Sequence, residues 1–173
     1  MTRSSVDSLT LSRKLIRTLI VLNLVLAFLI LVLFVASLLA EDFVMGALGL
    51  KPASESSWLI AGGRTIMILG IASAPLAHVI LTRLLAIVES VPIGPFITVN
   101  AERLRTMGWA VLGLELLHIV VGVVAATTSS RAEPIGVSWS FSATRWIAVL
   151  LLFVLAHVFE QGTRMREDLE GTV

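Results

Sequence analysis

The chain has 173 residues, of which 57% are hydrophobic and only 14% charged, and its formal net charge is +1. Soluble domains are about 45–50% apolar and about 25% charged, so this composition favours lipid as the surroundings of much of the chain. The small net charge gives no indication of a nucleic-acid surface, and the lack of cysteine excludes disulfides, thiolate metal sites and cysteine nucleophiles.

Four long apolar runs follow one another along the chain. The first carries no charge from Thr18 to Ala40, and these 23 residues span about 34 Å at about 1.5 Å each, enough for hydrocarbon about 30 Å thick. That run exceeds the apolar part of a signal peptide, about 7–15 residues, so we predict a retained helix. Only helices or closed barrels satisfy the backbone in lipid, and uninterrupted apolar runs favour helices. We therefore predict one all-α membrane domain, a four-helix bundle over 1–173, with helices at about 14–40, 58–86, 101–127 and 143–168.

The connections between the helices carry different charges. Nine of the 13 Lys and Arg residues lie before the first helix, near the central turn at 87–100, or in the carboxyl tail. The other four lie in or beside the loops at 41–57 and 128–142. Because cytoplasmic loops carry an excess of Lys and Arg, both termini and the central turn are predicted to be cytoplasmic.

The second outer loop has an alternating pattern. Its apolar members are Ile135, Val137, Trp139 and Phe141, separated by glycine and serines. Period-two alternation is typical of a strand, and a lone strand needs a partner in the other outer loop or in another protomer. A loop that dips into the membrane interface is the alternative.

Two segments resemble a known family. The central connection contains the pairs Pro95-Phe96 and Asn100-Ala101, followed by Arg103-Leu104-Arg105. The chain then ends in an acidic tail with a Thr-Val pair. This pattern is similar to that of the bacterial membrane-protein family catalogued as domain of unknown function 2975. The chain departs from the pattern at Gly94 and Val99, where that family commonly has other residues.

The resemblance runs from the first helix to the end of the chain. It implies a four-helix protein of the bacterial inner membrane, without an established activity or cofactor. It also implies a neighbouring gene for a small helix-turn-helix protein, which is a candidate cytosolic partner.

The central turn has two interpretations. Its prolines stop the preceding helix, Asn100 or Thr98 can cap the next one, and Arg103 and Arg105 can meet lipid head groups. This describes a well-built turn at the membrane face. The same residues, with Phe96, are alternatively a docking surface for a cytosolic protein.

Four polar residues fall at similar depths inside the predicted helices: Asn23, His78, Glu115 and His118. Glu115 and His118 are three residues apart and share a helix face. Ionisable groups in a membrane span are costly and are candidates for function. The alternatives are hydrogen bonds that fix helix packing, a proton-linked site, and a metal site formed by His78, Glu115 and His118.

The sequence contains no nucleophile elbow, phosphate loop or two-histidine zinc helix, so an enzyme is not expected. We favour a regulator or scaffold that presents the cytoplasmic turn and tail to a cytosolic partner. One alternative is an oligomeric channel or ion-linked transporter that uses the Glu/His cluster. Another is a homo-oligomer assembled through the outer loops. The lipid bilayer is the one partner common to all three.

Overall fold

A computed structural model describes residues 3–39, 56–92, 97–128 and 142–170, and these residues form four α-helices. They are α1 (Arg3–Leu39), α2 (Ser56–Ser90), α3 (Thr98–Thr128) and α4 (Ala143–Glu170). The described residues contain no strand, which confirms the all-helical fold class. The alternating segment 135–141, like Pro95 and Phe96, lies outside the described residues.

The helices extend beyond the apolar runs that predict them. α1 begins at Arg3 rather than near 14, and α2 continues four residues into the predicted turn, as far as Ser90. α3 starts at Thr98, three residues earlier than expected. Most residues of these extensions are polar, so a hydropathy pattern does not detect them, although polar residues form helices well where water or side chains satisfy the helix ends.

Each helix is long and apolar enough to cross a membrane. The apolar segments are Leu9–Leu39, Ile60–Ser90, Thr98–Thr127 and Ala143–Arg166. Large apolar side chains are exposed around much of α1, among them Leu22, Phe28 and Leu39. Such a surface is stable in hydrocarbon and not in water. The chain is therefore a multi-pass membrane protein.

The helices pack in chain order as an open bundle. α1 packs against α2, α2 against α3, and α3 against α4, while no other pair of the described helices comes within 8 Å between Cα atoms. Most of the buried apolar residues lie on α3, where Ala101, Leu104, Met107 and Ala110 repeat every three residues along one face. α2 and α3 thus form the centre of the bundle, and α1 and α4 form its two edges.

The two central helices run antiparallel in a defined register. Arg103 of α3 donates to the carbonyl of Ala86 in α2 over 3.0 Å. Ten residues further along α3, a Cβ at Gly113 would lie 3.2 Å from Leu76 of α2. Residue 115 of α3 therefore lies about level with residue 74 of α2.

α4 begins inside the bundle rather than at its end. Arg145, two residues into α4, contacts Glu115 of α3. α3 therefore continues about eleven residues, or about 16 Å, past the level at which α4 starts. At the other end Glu160 contacts Arg105, and α4 then continues ten residues to Glu170. We call the end of the bundle that holds Arg105 and Glu160 the basic end.

Candidate functional site

A groove of about 400 Å³ lies between α2, α3 and the start of α4. Most of its walls are apolar, and its polar lining comes from Ser73, Glu115, His118 and Arg145. The apolar lining residues are Ile66, Leu69, Gly70, Leu114, Leu117 and Val121. A mainly apolar concave surface with a few polar groups is typical of ligand sites.

An ion pair between Glu115 and Arg145 is the most polar feature of this groove. An Nη1 atom of Arg145 lies 3.5 Å from an Oε2 atom of Glu115. Glu115 is buried, with 8% of its surface exposed, whereas 38% of the Arg145 side chain is exposed. A carboxylate held in such surroundings needs an opposite charge, because desolvation of a lone ion costs several kcal/mol.

The pair lies level with the middle of the apolar stretch of α2 and at the start of the apolar segment of α4. The stretch of α2 between Arg64 and Arg83 holds 18 uncharged residues, or about 27 Å of helix. Glu115 is about level with residue 74, at the centre of that stretch. Arg64 itself donates to the Ser37 carbonyl and, over 3.4 Å, to its hydroxyl. Arg64 therefore fastens α2 to α1 at the end of the bundle opposite the basic end.

His118 lies one helical turn from Glu115 and also lines the groove. Its Nε2 atom is buried and has no hydrogen-bond partner within the described residues. Ser73, on the facing helix, donates its hydroxyl hydrogen to the Gly70 carbonyl over 2.7 Å. His118 therefore lines the groove, while its Nε2 atom lies buried behind that lining.

The polar cluster predicted from the sequence does not assemble as one group. Asn23 of α1 donates from Nδ2 to the Ala74 carbonyl of α2 over 3.1 Å. His78 does not line the groove, and its Nδ1 atom is buried without a partner in the described part of the chain. Glu115 pairs with Arg145 instead. Similar depth does not determine these contacts, because α1 packs against α2 and not against α3 among the described helices.

The metal hypothesis receives no support from this arrangement. Within residues 3–39, 56–92, 97–128 and 142–170, no three His, Asp or Glu side chains are close enough to hold a metal ion. His78, Glu115 and His118 therefore do not form a ligand set.

A second polar cluster fastens α2 to α3 at the basic end. Asn100 is fully buried, at 0% exposure, and donates from Nδ2 to the Ser90 hydroxyl over 2.8 Å. Ser90 in turn donates to the Ile87 carbonyl over 2.7 Å. Arg103 donates to Asn100 Oδ1 over 2.9 Å and to the Ala86 carbonyl. We call Ser90, Asn100 and Arg103 the α2–α3 clasp.

The clasp changes the interpretation of two predicted residues. Asn100 and Arg103 were expected to cap a helix and to meet lipid head groups, but their side chains join the two central helices. Arg105 faces outward and contacts Glu160 over 3.2 Å. Glu160 also contacts Arg164 over 2.8 Å, one turn along α4. Arg17 similarly joins Glu89 over 3.1 Å between α1 and α2.

Arg145 and Ser90 are the functional candidates that the sequence predictions missed. Arg145 was counted only among the four basic residues in or beside the outer loops, since it follows the loop at 128–142 by three residues. The sequence contained one indication of its role. Glu115 is the lone acid inside the neighbouring apolar run, and an acid in such a run needs a cation at the same depth. Ser90 had no comparable signal, because a serine at a helix end commonly bonds its own backbone.

Comparison with protein families gives one match. The profile of the family described as "Protein of unknown function (DUF2975)" matches residues 51–173. The matched region contains α2, α3 and α4, whereas α1 precedes it, so the match is shorter than the resemblance expected from the sequence. Comparison with curated proteins and with solved structures finds no match. Since the matched residues form more than half of the chain, it belongs to the DUF2975 family of membrane proteins.

Proposed function

We propose that the protein is a non-enzymatic regulator or scaffold of the bacterial inner membrane. In this proposal the basic end faces the cytoplasm, with both termini on that side, and presents a surface to a cytosolic protein. The excess of Lys and Arg at this end supports the orientation. A small helix-turn-helix protein is the partner that fits the family resemblance.

The observation that carries this proposal is the surface of α4 beyond Glu160. Met165 is 62% exposed there, and its neighbours Arg164, Arg166 and Asp168 are also exposed. We expect this apolar side chain, exposed among charges at the end of the apolar segment of α4, to lie at the membrane surface and not among lipid tails. Methionine adapts to varied apolar surfaces and is common where proteins bind other proteins. We call these four residues the tail patch.

The base of the tail patch is held in place. Thr163 is buried and donates to the Phe159 carbonyl over 2.9 Å. Glu160 connects α4 to α3 through Arg105. The clasp and the Arg105–Glu160 pair together hold the basic ends of the three helices that the family profile covers. A surface on an ordered support binds with a smaller entropic cost than a flexible one.

Capture of the partner tests this proposal. The full chain, reconstituted in nanodiscs, is mixed with the purified small helix-turn-helix protein that the family resemblance implies as its genetic neighbour, and binding is measured by interferometry. Met165→Glu should weaken binding at least tenfold, because it places a charge in the apolar centre of the patch. The matched control is Leu11→Glu, which alters an exposed apolar residue of α1 at the same end. Lack of binding by the unaltered protein, or equal loss in both variants, would contradict the proposal.

An oligomeric ion-linked transporter is the second candidate. The Glu115–Arg145 pair favours it, since paired charges at mid-depth are typical of transport paths. The described helices of one chain form an open bundle without a central pore, so such a path needs several copies. Proton or cation flux into liposomes measures this activity. Flux that Glu115→Gln abolishes would support a transporter, and background flux in both proteins would eliminate it.

A further inference from the structure

We propose that Arg13 and Lys14 of α1 bind the phosphate group of an anionic phospholipid at the basic end of the bundle. This inference stands apart from the regulator role, because it depends on the edge formed by α1 and α2 and not on the tail patch. It also does not depend on which side of the membrane the basic end faces.

Arg13 lies on the face of α1 that packs against α2. It precedes Ile16 by three residues, so the two side chains share a helix face, and Ile16 is buried at 6% exposure. Arg13 is half-buried, and its Nε atom is covered. An arginine with a buried stem extends its charged head toward water or head groups. The packing of α1 on α2 therefore holds the base of this guanidinium in place.

The Arg13 guanidinium has no partner among the described residues. None of them accepts a hydrogen bond from it or forms an ion pair with it. Arg17, one turn further along α1, is neutralised by Glu89 over 3.1 Å. A half-buried charge without an acceptor is costly, so Arg13 indicates an acceptor from outside the chain. Because Nε is covered, a ligand would reach Arg13 at its Nη atoms.

This guanidinium lies at the depth of phospholipid head groups. The uncharged stretch of α1 begins at Thr18, so Arg13 lies about 7 Å outside it. Head groups occupy about 5–8 Å on each side of the hydrocarbon. Among the described helices α1 packs against α2 alone, which leaves the rest of its circumference open to lipid. A phospholipid can therefore approach Arg13 from the side of the bundle.

The neighbours of Arg13 suit an anionic lipid. Lys14 is exposed and adds a second positive charge that no described acid neutralises. The planar fork of an arginine matches two oxygens of a phosphate. Exposed leucines continue along α1 from this point into the apolar zone, at Leu15, Leu19 and Leu22. The site thus offers cations to a phosphate and an apolar surface to the acyl chain attached to it.

A lipid and a soluble phosphate ester carry the same charged group. The leucine surface favours the lipid, because a soluble ester has no acyl chain to place there. The two uncompensated cations favour a head group with a net negative charge over a zwitterionic one, whose own ammonium group Lys14 would repel. Phosphatidylglycerol, phosphatidylcholine and glycerol 3-phosphate differ in these two properties and separate the alternatives.

Native mass spectrometry of the full chain in nonionic detergent micelles tests the proposal. Dioleoylphosphatidylglycerol, dioleoylphosphatidylcholine and glycerol 3-phosphate are titrated in separate arms, and the fraction of protein with one bound molecule is measured. We expect saturable binding of phosphatidylglycerol and weaker binding of the other two compounds. Arg13→Gln should weaken phosphatidylglycerol binding about fivefold, because it removes a cation at the depth of the head groups.

Two further measurements separate this site from the charge of the basic end as a whole. Arg164→Gln is the matched control, since Arg164 is 72% exposed on α4, at the other edge of the bundle. This variant should bind phosphatidylglycerol as the unaltered protein does. The unfolding midpoint of Arg13→Gln should equal that of the unaltered protein, because no described residue loses a partner. A lower midpoint would show that Arg13 serves the fold and would overturn the proposal.

The binding data can contradict the proposal in three ways. Phosphatidylglycerol binding no tighter than phosphatidylcholine binding would overturn it, as would equal loss of binding in the Arg13→Gln and Arg164→Gln proteins. Glycerol 3-phosphate binding as tight as phosphatidylglycerol binding would assign the site to a soluble phosphate ester and rule out the lipid as its ligand.

Discussion

Single polar residues join the helices of this protein, each at a definite depth. Asn23 and Arg64 connect α1 to α2, the clasp connects α2 to α3, and Glu115 connects α3 to α4 through Arg145. Hydrogen bonds between membrane helices contribute only about 0.6–2 kcal/mol each. Loss of one partner is more costly, because the other remains buried and unsatisfied.

The ion pair gives a prediction at this scale. Arg145→Leu leaves the Glu115 carboxylate buried without a counter-charge and should destabilise the fold by about 3 kcal/mol. This value is at the lower end of the range for buried pairs, since a contact of 3.5 Å is long for a charged hydrogen bond. Replacement of both residues by leucine should recover most of that loss. Equilibrium unfolding in mixed micelles measures the free energy of unfolding of both variants. A double variant no more stable than Arg145→Leu would contradict the role of the pair.

Asn100 gives a second prediction. Asn100→Ala removes one partner of Ser90 and one partner of Arg103 in a fully buried position. We expect a loss of about 2–3 kcal/mol and faster amide hydrogen exchange at the basic ends of α2 and α3. Thr106→Ala is the control, because Thr106 is more exposed and its hydroxyl donates to Glu102 on its own helix. Equal exchange in the two variants would show that the clasp does not join the helices.

At the scale of the helix, close packing depends on small residues. A Cβ at Gly108 of α3 would lie 3.2 Å from the Phe153 ring of α4. That ring is itself held edge-on against Trp109, at 5.4 Å between centroids. The ring therefore has little room to move away from α3. Gly63 of α2, by contrast, has no atom within 4 Å of such a Cβ among the described residues.

These two glycines form a matched pair for mutation. Gly63→Ala should stabilise α2 by about 0.5–1 kcal/mol, because alanine is the better helix former. Gly108→Ala should lose that gain and be about 1 kcal/mol less stable than Gly63→Ala, since the Phe153 ring must shift. Unfolding of the two variants under the same conditions gives the difference directly. A Gly108→Ala protein as stable as the Gly63→Ala protein would mean that α4 packs loosely on α3.

The sequence predicted the number, type and approximate position of the helices, because span length follows from bilayer thickness. The segments 3–13 and 87–90 are helical although they lie outside the predicted helices, since hydropathy measures transfer into lipid and not helix formation. The contacts of the predicted polar residues could not be predicted, for a different reason. Periodicity and depth locate a residue along one helix, but they do not determine which helices are neighbours. Glu115 was correctly identified as a polar group within a span. Its partner, Arg145, could not be predicted, because the sequence does not show at which level of α3 the helix α4 begins.

For the whole molecule, the open bundle determines where a ligand and a partner would bind. α4 contacts only α3 among the described helices, and it carries Arg145 near its start and the tail patch at its end. Arg145 in the groove and the tail patch thus lie on one helix, about 30 Å apart. The edges formed by α1 and α4 expose apolar side chains over most of their length, as contact with lipid requires.

The most direct measurement is the accessibility of single cysteines, because the chain has no cysteine of its own. Thr127→Cys lies at the end of α3 opposite the basic end, Val91→Cys at the basic end, and Leu116→Cys on an exposed face at mid-depth. In intact cells a membrane-impermeant maleimide should label Thr127→Cys alone, and opening the membrane should add Val91→Cys but not Leu116→Cys. Labelling of both ends in intact cells, or rapid labelling of Leu116→Cys by the aqueous reagent, would contradict a protein whose helices cross the bilayer with the basic end inside.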